Sequence, residues 1–577
     1  MFKNQPKGLY VLALANTGER FGYYTMLAIL LLFLQAKFEL STAVAGTIYS
    51  TFLALVYFMP LIGGIIADKW NFQKTVTLGI IVMFLGYLVM AIPTEAQGGV
   101  SAWAQPAFYL MLCALLLISA GTGLFKGNLQ VMVGDLYNEP KYAAKRDVAF
   151  SLFYMAINIG AMFAPSVTTK LCEYALGQKG LQYAGDIPGL CNKFISGGAA
   201  EVGDKMERLT EFAGTADTTA LLDYCRQYME TISTGYSYAF AVACLSMIVS
   251  FLIYKLGKKT YAGIGLSKKE AGKAASHEPE LTREQTKSRI TALLLVFFVV
   301  IFFWMVFHQN GLTLTKFAQQ FTDPECYGWT RIGFNIWALA VIAVGVYATF
   351  GVFQSKGKGR VVPGIILAAC LVGLYFFYQY TPDPVAGVQP QIYQQFNPFY
   401  VVALTPFSVA IFSWLAKKKK EPSAPRKIGY GMVVAGIGFA IMAIGSFGLG
   451  TAPKEGMAAT LVSPNWLMST YLVLTFAELL LSPMGISFVS KVAPPKYKGM
   501  MMGCWFGATA IGNLLTAIPA MLWDVMDVAM IWVILIALCL LSAGFIFAIM
   551  KKLEAATADS ETPPPADKLE NVEDDAI

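Results

Sequence analysis

Long runs of apolar residues, separated by short polar segments, repeat along the whole chain. Each run is about 20 residues long, the length that an α-helix needs to cross the hydrocarbon core of a membrane. The pattern predicts about fourteen membrane-spanning helices. They lie near residues 9–35, 43–66, 75–93, 106–133, 149–170, 235–256, 289–312, 334–354, 361–380, 397–416, 428–449, 466–490, 499–523 and 529–550.

The overall composition agrees with this pattern. The chain has 577 residues, of which 56% are hydrophobic and only 14% are charged, whereas soluble domains carry roughly a quarter charged residues. Lys3 and Lys7 precede the first apolar run. No small-residue cleavage site ends that run, so we expect a retained helix and not a removed signal peptide. The predicted fold class is an all-α, polytopic membrane protein.

Lysine and arginine concentrate in every second connecting segment. They cluster at 141–146, 255–289 and 417–426, whereas the segment 94–105 has none. Because cytoplasmic loops carry the excess of these residues, both termini are predicted to be cytoplasmic and the protein to be a multi-pass protein of the cell (inner) membrane. The net charge of +7 is therefore interpreted as an orientation signal, and no nucleic-acid partner is expected.

The spans are predicted to group into two bundles of six helices, with two helices left over as an inserted pair. The tail is rich in Pro, Asp, Glu and Ala, which favours disorder. The predicted units are a first bundle at 1–256 with an extracytoplasmic loop at 171–234, a cytoplasmic linker at 257–288, a second bundle at 289–552 with the inserted pair at 334–380, and a disordered cytoplasmic tail at 553–577.

The first apolar run contains two charged residues, Glu19 and Arg20, deep within its length. Charges at membrane depth are costly unless they are paired or hydrated, so we expect them to face a protein interior or a water-filled cavity. They are neighbours that project about 100° apart around a helix, so each is expected to need another partner. Lys126, His308 and Glu478 are other ionisable residues deep in spans. We expect one cavity to collect all five; polar pairs that only hold helices together are the alternative.

Short motifs of charged, aromatic and small residues lie in order along the spans. They are NTGERFGYYT at 16–25, YSTFLALVYFMPLIGGIIAD at 49–68, a Gly-, Lys- and Asp-containing segment at 121–137, FYMAINIG at 153–160, FFWMVFHQNG at 302–311, QQFNP at 394–398, ELLLSPMGISFVSKVAP at 478–494 and GMMMGCWFG at 499–507. Together they resemble the proton-dependent oligopeptide transporter (POT or PTR) family of the major facilitator superfamily. This resemblance implies a fold of two six-helix bundles with a site between them near the membrane midplane.

The chain departs from the family pattern at several motif positions. Asn16 stands where the first signature has a Glu, Thr25 follows the tyrosine pair in place of Gly, and Gly127 stands in place of a Pro. Leu27 replaces a frequent Arg, and His308 replaces a frequent acidic residue. Losing one cation and one anion keeps the charge balance, which predicts a rewired site. His308 could act in a proton relay or as a neutral hydrogen-bond donor.

The site that the resemblance implies must bind a dipeptide, which carries an ammonium and a carboxylate at a fixed spacing. Glu478, with Asn158 and Asn397, is expected at the ammonium, and Arg20 and Lys126 at the carboxylate. The predicted substrate-binding set, whose tyrosines meet the peptide bond and whose tryptophans form apolar walls, is Arg20, Tyr23, Tyr24, Tyr57, Lys126, Tyr154, Asn158, Trp304, Asn397, Glu478 and Trp505. The predicted proton-coupling set is Glu19, Arg20, Lys126, His308 and Glu478. Core or lipid packing is the alternative role of each aromatic residue.

The predicted function is a proton-coupled symporter that imports di- and tripeptides by alternating access, with Asp68 as a gating contact on the cytoplasmic side. The alternatives are a related carrier of another small solute, such as an anion or a modified amino acid, and a peptide facilitator with altered proton coupling. No Walker P-loop or HExxH motif is present, so an enzyme is not expected. The expected partners are the peptide, protons and the bilayer, with a monomer as the working unit and no cofactor or metal.

Four cysteines fall in segments that are predicted to lie outside the cytoplasm: Cys172, Cys191, Cys225 and Cys326. Four cysteines can form two disulfides in three ways. The sequence does not decide among these or against free thiols.

Overall fold

The computed structural model describes residues 5–561 except for 39, 41, 94–99, 184–186, 266–280, 389, 454–457 and 524. The described residues are mostly helical, and among them β-structure is limited to isolated bridges. The fourteen long helices are α1 (Lys7–Phe38), α2 (Thr42–Lys69), α3 (Phe72–Ala91), α4 (Pro106–Asp135), α5 (Arg146–Gly177), α6 (Thr218–Leu256), α7 (Arg283–Phe307), α8 (Ile336–Gln354), α9 (Val361–Tyr380), α10 (Phe396–Lys417), α11 (Ala424–Gly445), α12 (Asn465–Val492), α13 (Lys498–Leu515) and α14 (Val528–Ala548).

Each of these helices overlaps one predicted span, although α6 begins well before its predicted span. Thirteen of the described helices are long and apolar enough to cross a membrane. The remaining long helix, α1, has 32 residues and packs against α5 and α6. The prediction of an all-α polytopic membrane protein is therefore confirmed.

Short helices fill several connections. They are Pro140–Ala143, Ile187–Gly197, Ala199–Val202, Met206–Ala213, Thr313–Gln320, Ala517–Met521 and Met550–Glu561, with 3₁₀ turns at Ala102–Ala104, Gly203–Lys205, Gly257–Thr260, His308–Gly311, Gly328–Phe334, Gly357–Arg360, Pro390–Gln395 and Pro495–Tyr497. The segment 171–234, predicted as a loop, is thus largely helical. Its sequence is too polar for the membrane, and a search for apolar runs does not detect such helices.

The predicted disorder of the tail is wrong for residues 553–561. These residues belong to the helix Met550–Glu561, which buries Leu553. Arg426 donates to Glu554 over 2.6 Å, and this hydrogen bond lowers the pKa of the Glu554 carboxyl. The rest of the tail, 562–577, and residues 266–280 of the predicted linker lie outside the described residues.

Helix contacts follow a simple pattern. In the first part of the chain, α1 packs on α5 and α6, and α4 packs on α2 and α3. In the second part, α11 packs on α12 and α14, and α7 packs on α13. Contacts between these two groups join α5 to α10 and α12, and α2 to α13. Helices α8 and α9 pair with each other, and α8 also contacts α10.

Glycines allow α2 to touch two neighbours through its backbone. A Cβ added at Gly63 would lie 2.1 Å from the Gly123 carbonyl oxygen of α4, and one added at Gly64 would lie 2.1 Å from the Gly499 carbonyl oxygen of α13. Any other side chain would force these helices apart, as is typical of close helix packing in membranes. Helix α2 is therefore in close backbone contact with α4 of its own group and with α13 of the other group.

Candidate functional site

The two charges of α1 form an ion pair with each other. Arg20 Nε donates to Glu19 Oε2 over 2.5 Å, and Arg20 Nη2 contacts Glu19 Oε1. Both residues are buried. The expectation that these neighbours cannot satisfy each other is wrong, because the long arginine side chain bends back to the carboxylate although the two Cα–Cβ bonds point apart. The bidentate pair makes this part of α1 electrically neutral.

Aromatic rings surround the Arg20 guanidinium. Its carbon lies 4.5 Å from the centroid of the Tyr23 ring, a cation–π arrangement. Tyr23 stacks on Phe52 at 6.5 Å and meets Tyr24 edge-on at 5.2 Å. Because Tyr23 is only 2% exposed, it packs inside the protein and supports Arg20. Nearby, the buried amide nitrogen of Asn16 has no hydrogen-bond partner among the described residues.

Lys126 lies between the two helix groups. Its ammonium is 4.1 Å from the centroid of the Tyr57 ring on α2 and 4.7 Å from that of Phe506 on α13. It is close enough to Glu19 and Arg20 for their charges to act on it. In the described part of the chain, the ammonium has no hydrogen-bond acceptor and no carboxylate partner. Among the described residues, aromatic rings are the groups in direct contact with the ammonium, and Glu19 acts on it without a hydrogen bond.

Glu478 has the complementary environment. The Tyr154 hydroxyl of α5 donates to its Oε1, and the Asn397 amide of α10 donates to its Oε2 over 2.7 Å. The same Asn397 amide donates to Thr475 over 3.1 Å, and Asn158 donates to the Tyr154 carbonyl over 3.0 Å. These donors are neutral, and no cation pairs with Glu478 among the described residues. The Glu478 carboxylate therefore accepts hydrogen bonds from neutral groups but is not paired with a cation in the described part of the chain.

Two tyrosines connect the charged groups. Tyr24 and Tyr57 each interact electrostatically with both Arg20 and Glu478. Both are only partly buried, as are Lys126 and the Tyr154 ring, although they lie in helices that are packed among others. The structure thus brings Glu19, Arg20, Lys126 and Glu478 into one cluster.

His308 joins the same region from the end of α7. It begins the 3₁₀ turn His308–Gly311, its ring stacks on Trp304 with centroids 4.8 Å apart, and its Nδ1 contacts the Asn513 side-chain oxygen of α13. It is also within electrostatic range of Lys126. The sequence interpretation missed Asn513; the signal was available, because a lone asparagine in an apolar helix usually bonds to another helix.

The two predicted tryptophans are mostly packed. Trp505 is 2% exposed, and its ring fills the space that a side chain at Gly485 would need. Trp304 is buried as well, but its indole N–H has no partner among the described residues. The Trp304 indole N–H, beside His308, therefore makes no hydrogen bond within the described residues, whereas the Trp505 ring packs against its neighbours.

Asp68 bonds across the interface between the two helix groups, at the end where α2 finishes and α13 begins. It lies in the last turn of α2, where the sequence interpretation placed a loop. Its two carboxylate oxygens accept from the backbone N–H groups of Gly499 at 2.8 Å and Met500 at 2.9 Å. These N–H groups start α13, where unpaired donors and the positive end of the helix dipole favour a carboxylate. Asp68 thus ties the first helix group to the second.

A second link at this end was not predicted. Asp147 of α5 accepts from Ser487 at 2.6 Å and lies 3.2 Å from Lys427 and 3.7 Å from Lys491. Lys427 also donates to Glu421 over 2.6 Å. The sequence interpretation used clustered basic residues only as orientation signals and did not single out Lys427, because composition cannot show which basic residue meets a carboxylate from another helix.

A helical membrane protein whose buried charges meet between two helix groups has the architecture of a secondary transporter. The family description "PTR2: POT family" matches residues 73–277 and 383–554. The chain therefore belongs to the POT family, as its motifs indicated, and its relatives are transporters and not enzymes.

Several relatives align along most of the chain. It is 28% identical to the "Uncharacterized transporter YclF" of Bacillus subtilis, covering 91% of this chain and 89% of that protein. It is 24% identical to "Dipeptide and tripeptide permease A" of Escherichia coli, with 91% and 85% covered. It is 27% identical to "Peptide transporter YePEPT" of Yersinia enterocolitica, with 89% and 87% covered.

Solved structures share the fold. A peptide transporter POT in complex with sulfate is 21% identical, covers 96% of both chains and gives a TM-score of 0.54. A POT family transporter in complex with 5-aminolevulinic acid is 18% identical, covers 96% of this chain and 98% of that one, and gives a TM-score of 0.57. At these identities, the similarity establishes a common fold.

Proposed function

We propose that this protein is a proton-coupled symporter that imports di- and tripeptides by alternating access. The observation that carries the proposal is the pair of uncompensated charges in the central cluster. Among the described residues, the Lys126 ammonium contacts aromatic rings and no carboxylate bonds to it directly, and Glu478 has neutral donors but no cation. A zwitterion with the reach of a dipeptide would neutralise both charges at once.

The proposed binding mode assigns one end of the peptide to each group. The peptide ammonium contacts Glu478, whose position is fixed by Tyr154 and Asn397. The peptide carboxylate contacts Lys126 and competes with Glu19 for Arg20. The partly exposed tyrosines between the two ends supply hydrogen bonds to the peptide unit, and Asn158 supports the ammonium end.

Proton coupling follows from the Glu19–Arg20 pair. In the structure, both carboxylate oxygens of Glu19 bond to Arg20. A substrate carboxylate that draws Arg20 away leaves Glu19 in an apolar environment, where protonation becomes favourable. Peptide binding and proton binding then assist each other by the same factor. No cofactor or metal is needed for this cycle, because the proton is the coupling ion.

Alternating access requires the cytoplasmic contacts to open and close. We propose that α1–α6 and α7 with α10–α14 are the two bundles, and that Asp68 and Asp147 hold them together while the cytoplasmic side is closed. The proposed setting is the inner membrane, with both termini in the cytoplasm and a monomer as the transporting unit. The inserted helix pair α8–α9 lies beside α10.

A second candidate is a carrier with altered proton coupling or with another small solute. It is favoured by His308. This residue stands where the family motif often has an acidic residue, and its Nδ1 contacts the neutral Asn513 side chain. Such a carrier would use the same charged side chains for its solute but would respond differently to pH.

Uptake by the purified full-length protein in liposomes tests both candidates. An inward proton gradient should drive accumulation of labelled dialanine, and unlabelled di- and tripeptides should compete, whereas inorganic anions and single amino acids should not. Competition by anions or amino acids alone would refute the peptide proposal. Peptide exchange without proton-driven accumulation would establish the facilitator. A Lys141→Ala variant, which removes an exposed cytoplasmic cation, should behave as the unmodified protein does.

A further inference from the structure

Two buried cysteines meet outside the membrane-spanning part of the first helix group. Cys191 lies in the helix Ile187–Gly197, and Cys225 lies near the start of α6, ten residues before the apolar run at 235–256. The short helix packs along α6. Both cysteines are 0% exposed and are free thiols in the structure, and their side chains lie within hydrogen-bonding range of each other.

The other two cysteines on this side have different neighbours. Cys172 lies where α5 crosses α6; a Cβ added at Gly235 would be 3.6 Å from its sulfur. Cys326 lies in the second helix group, with its sulfur 3.6 Å from the Thr330 hydroxyl. The contacts therefore select one pairing among those that the sequence leaves open.

We propose that Cys191 and Cys225 form a disulfide that fastens the extracytoplasmic helix 187–197 to α6. The inference rests on the proposed orientation, which places this segment on the oxidising side of the membrane. Each thiol gives up one proton and one electron as the S–S bond forms. The electrons pass by thiol–disulfide exchange to the disulfide of an extracytoplasmic dithiol oxidant, which is reduced to its dithiol.

The surroundings of the pair indicate when the bond must form. The contact with Cys225 and burial together raise the pKa of the Cys191 thiol far above its usual value. Since only a thiolate attacks a disulfide efficiently, the packed Cys191 thiol would react slowly with an external oxidant. Oxidation is therefore expected before helix 187–197 packs onto α6. Once the helix has packed, burial of both sulfur atoms protects the disulfide from reduction.

Peptide mapping of the full-length protein tests the bond directly. Membranes are treated with N-ethylmaleimide, and the purified protein is then digested with trypsin without reduction. Cleavage after Lys and Arg separates the four cysteines into the peptides 171–179, 180–193, 209–226 and 317–331. The expected result is a linked pair of 180–193 and 209–226 that disappears after reduction, with Cys172 and Cys326 alkylated.

Matched variants make the outcome specific. In Cys191→Ser, Cys225 should become alkylated, and the reverse should hold for Cys225→Ser, whereas Cys172→Ser should leave the linked peptide unchanged. Alkylation of both thiols in the unmodified protein, or a link to Cys172 or Cys326, would overturn the proposal.

The orientation is tested separately. A membrane-impermeant maleimide applied to intact cells should label Lys179→Cys in the Cys172→Ser variant, because Lys179 is exposed on the same side. Free Cys191 and Cys225 thiols together with labelling at 179 would refute the disulfide and leave the orientation and the transport proposal intact. Free thiols without labelling would refute the orientation as well.

Discussion

At the scale of single residues, the central cluster contains charges of two kinds. Glu19 and Arg20 neutralise each other, whereas Lys126 and Glu478 keep charges that the described protein does not neutralise. Unpaired buried charges are costly and are retained where a ligand completes them. This division predicts separate consequences for substitutions in the two sets.

A substitution at Glu478 should weaken binding of the peptide ammonium, and a substitution at Lys126 should weaken binding of the peptide carboxylate. Glu478→Gln should raise the KM for dialanine at least tenfold, because losing one partner of a buried charge pair costs about 2–5 kcal/mol. It should have little further effect on N-acetyl dialanine, which has no ammonium. Lys126→Ala should show the reverse preference, with the C-terminal amide losing little. Uptake kinetics with the three ligands measure this, and equal losses for all ligands in both variants would contradict the assignment.

The neutral pair predicts a different phenotype. Glu19→Gln should abolish proton-driven accumulation, so that the internal dialanine concentration only reaches the external one, because the group that binds the proton is gone. Peptide counterflow, which needs no net proton movement, should continue and shows that the variant is folded. The same substitution at the exposed Glu139 is the control. Concentrative uptake by Glu19→Gln would assign the proton site elsewhere.

His308 provides a test of pH dependence. Its Nδ1 faces the Asn513 oxygen, and its ring stacks on Trp304. A neutral imidazole that donates from Nδ1 satisfies this contact, and a glutamine amide can replace that donor. His308→Gln should therefore keep the pH profile of uptake and reduce its rate by less than about threefold, the loss of less than 1 kcal/mol. A profile shifted by half a pH unit or more would establish His308 as a relay.

The identity of the cluster residues could be predicted from sequence, but their pairing could not. Charged residues inside apolar runs are rare enough to single out Glu19, Lys126 and Glu478 directly. Which groups pair depends on side-chain reach and on the rotation of helices that are distant in sequence. For that reason the Glu19–Arg20 pair was excluded in error, and Asn513 and Tyr154 could not be matched to His308 and Glu478.

At the scale of helices, apolar length predicts the membrane part well and the rest poorly. Helix α9 occupies 361–380 as expected, whereas α6 starts at Thr218 and not near 235. The early turns of α6 contain Asp223, Arg226 and Glu230, so hydropathy gives no signal there. The Asp217 side chain nevertheless caps the helix by accepting from the Ala220 N–H at 2.9 Å, a signal that sequence capping rules can detect.

The contact between Asp68 and the start of α13 makes a prediction at this scale. Asp68→Ala removes a cap worth about 1 kcal/mol that, in the proposed transport cycle, exists only while the cytoplasmic side is closed. The ratio of closed to open protein should fall about fivefold. Labelling from the cytoplasmic side of a cysteine introduced beside the cluster, as Tyr57→Cys, should become faster. Asp217→Ala removes an equivalent cap outside the interface and should leave the labelling rate unchanged; equal effects of both variants would contradict the gating role.

At the scale of the whole molecule, three kinds of contact hold the two helix groups together at the end that we propose to face the cytoplasm. Asp68 bonds to the backbone of α13, Asp147 bonds to Ser487 and the lysines of α11 and α12, and Gly64 meets Gly499 backbone to backbone. The polar contacts can be replaced by water when the interface opens. The contact between Gly64 and Gly499 is steric, and a larger side chain at position 64 has no room in it. A substitution there should therefore disfavour the closed arrangement and leave the open one unaffected.

Gly64→Ala should therefore prevent cytoplasmic closure without preventing folding. The added methyl group would lie 2.1 Å from the Gly499 carbonyl oxygen, well inside the van der Waals distance of about 3.5 Å, so α2 and α13 must separate by more than 1 Å. In a state that is open to the cytoplasm the methyl group has room. We expect normal expression, loss of most uptake, and labelling of Tyr57→Cys from the cytoplasm at least as fast as in Asp68→Ala. Gly436→Ala is the control, because its Cβ would make an ordinary contact at 3.5 Å with Cys539 and alanine favours the helix. Unchanged uptake by Gly64→Ala would show that transport does not pass through this closed arrangement.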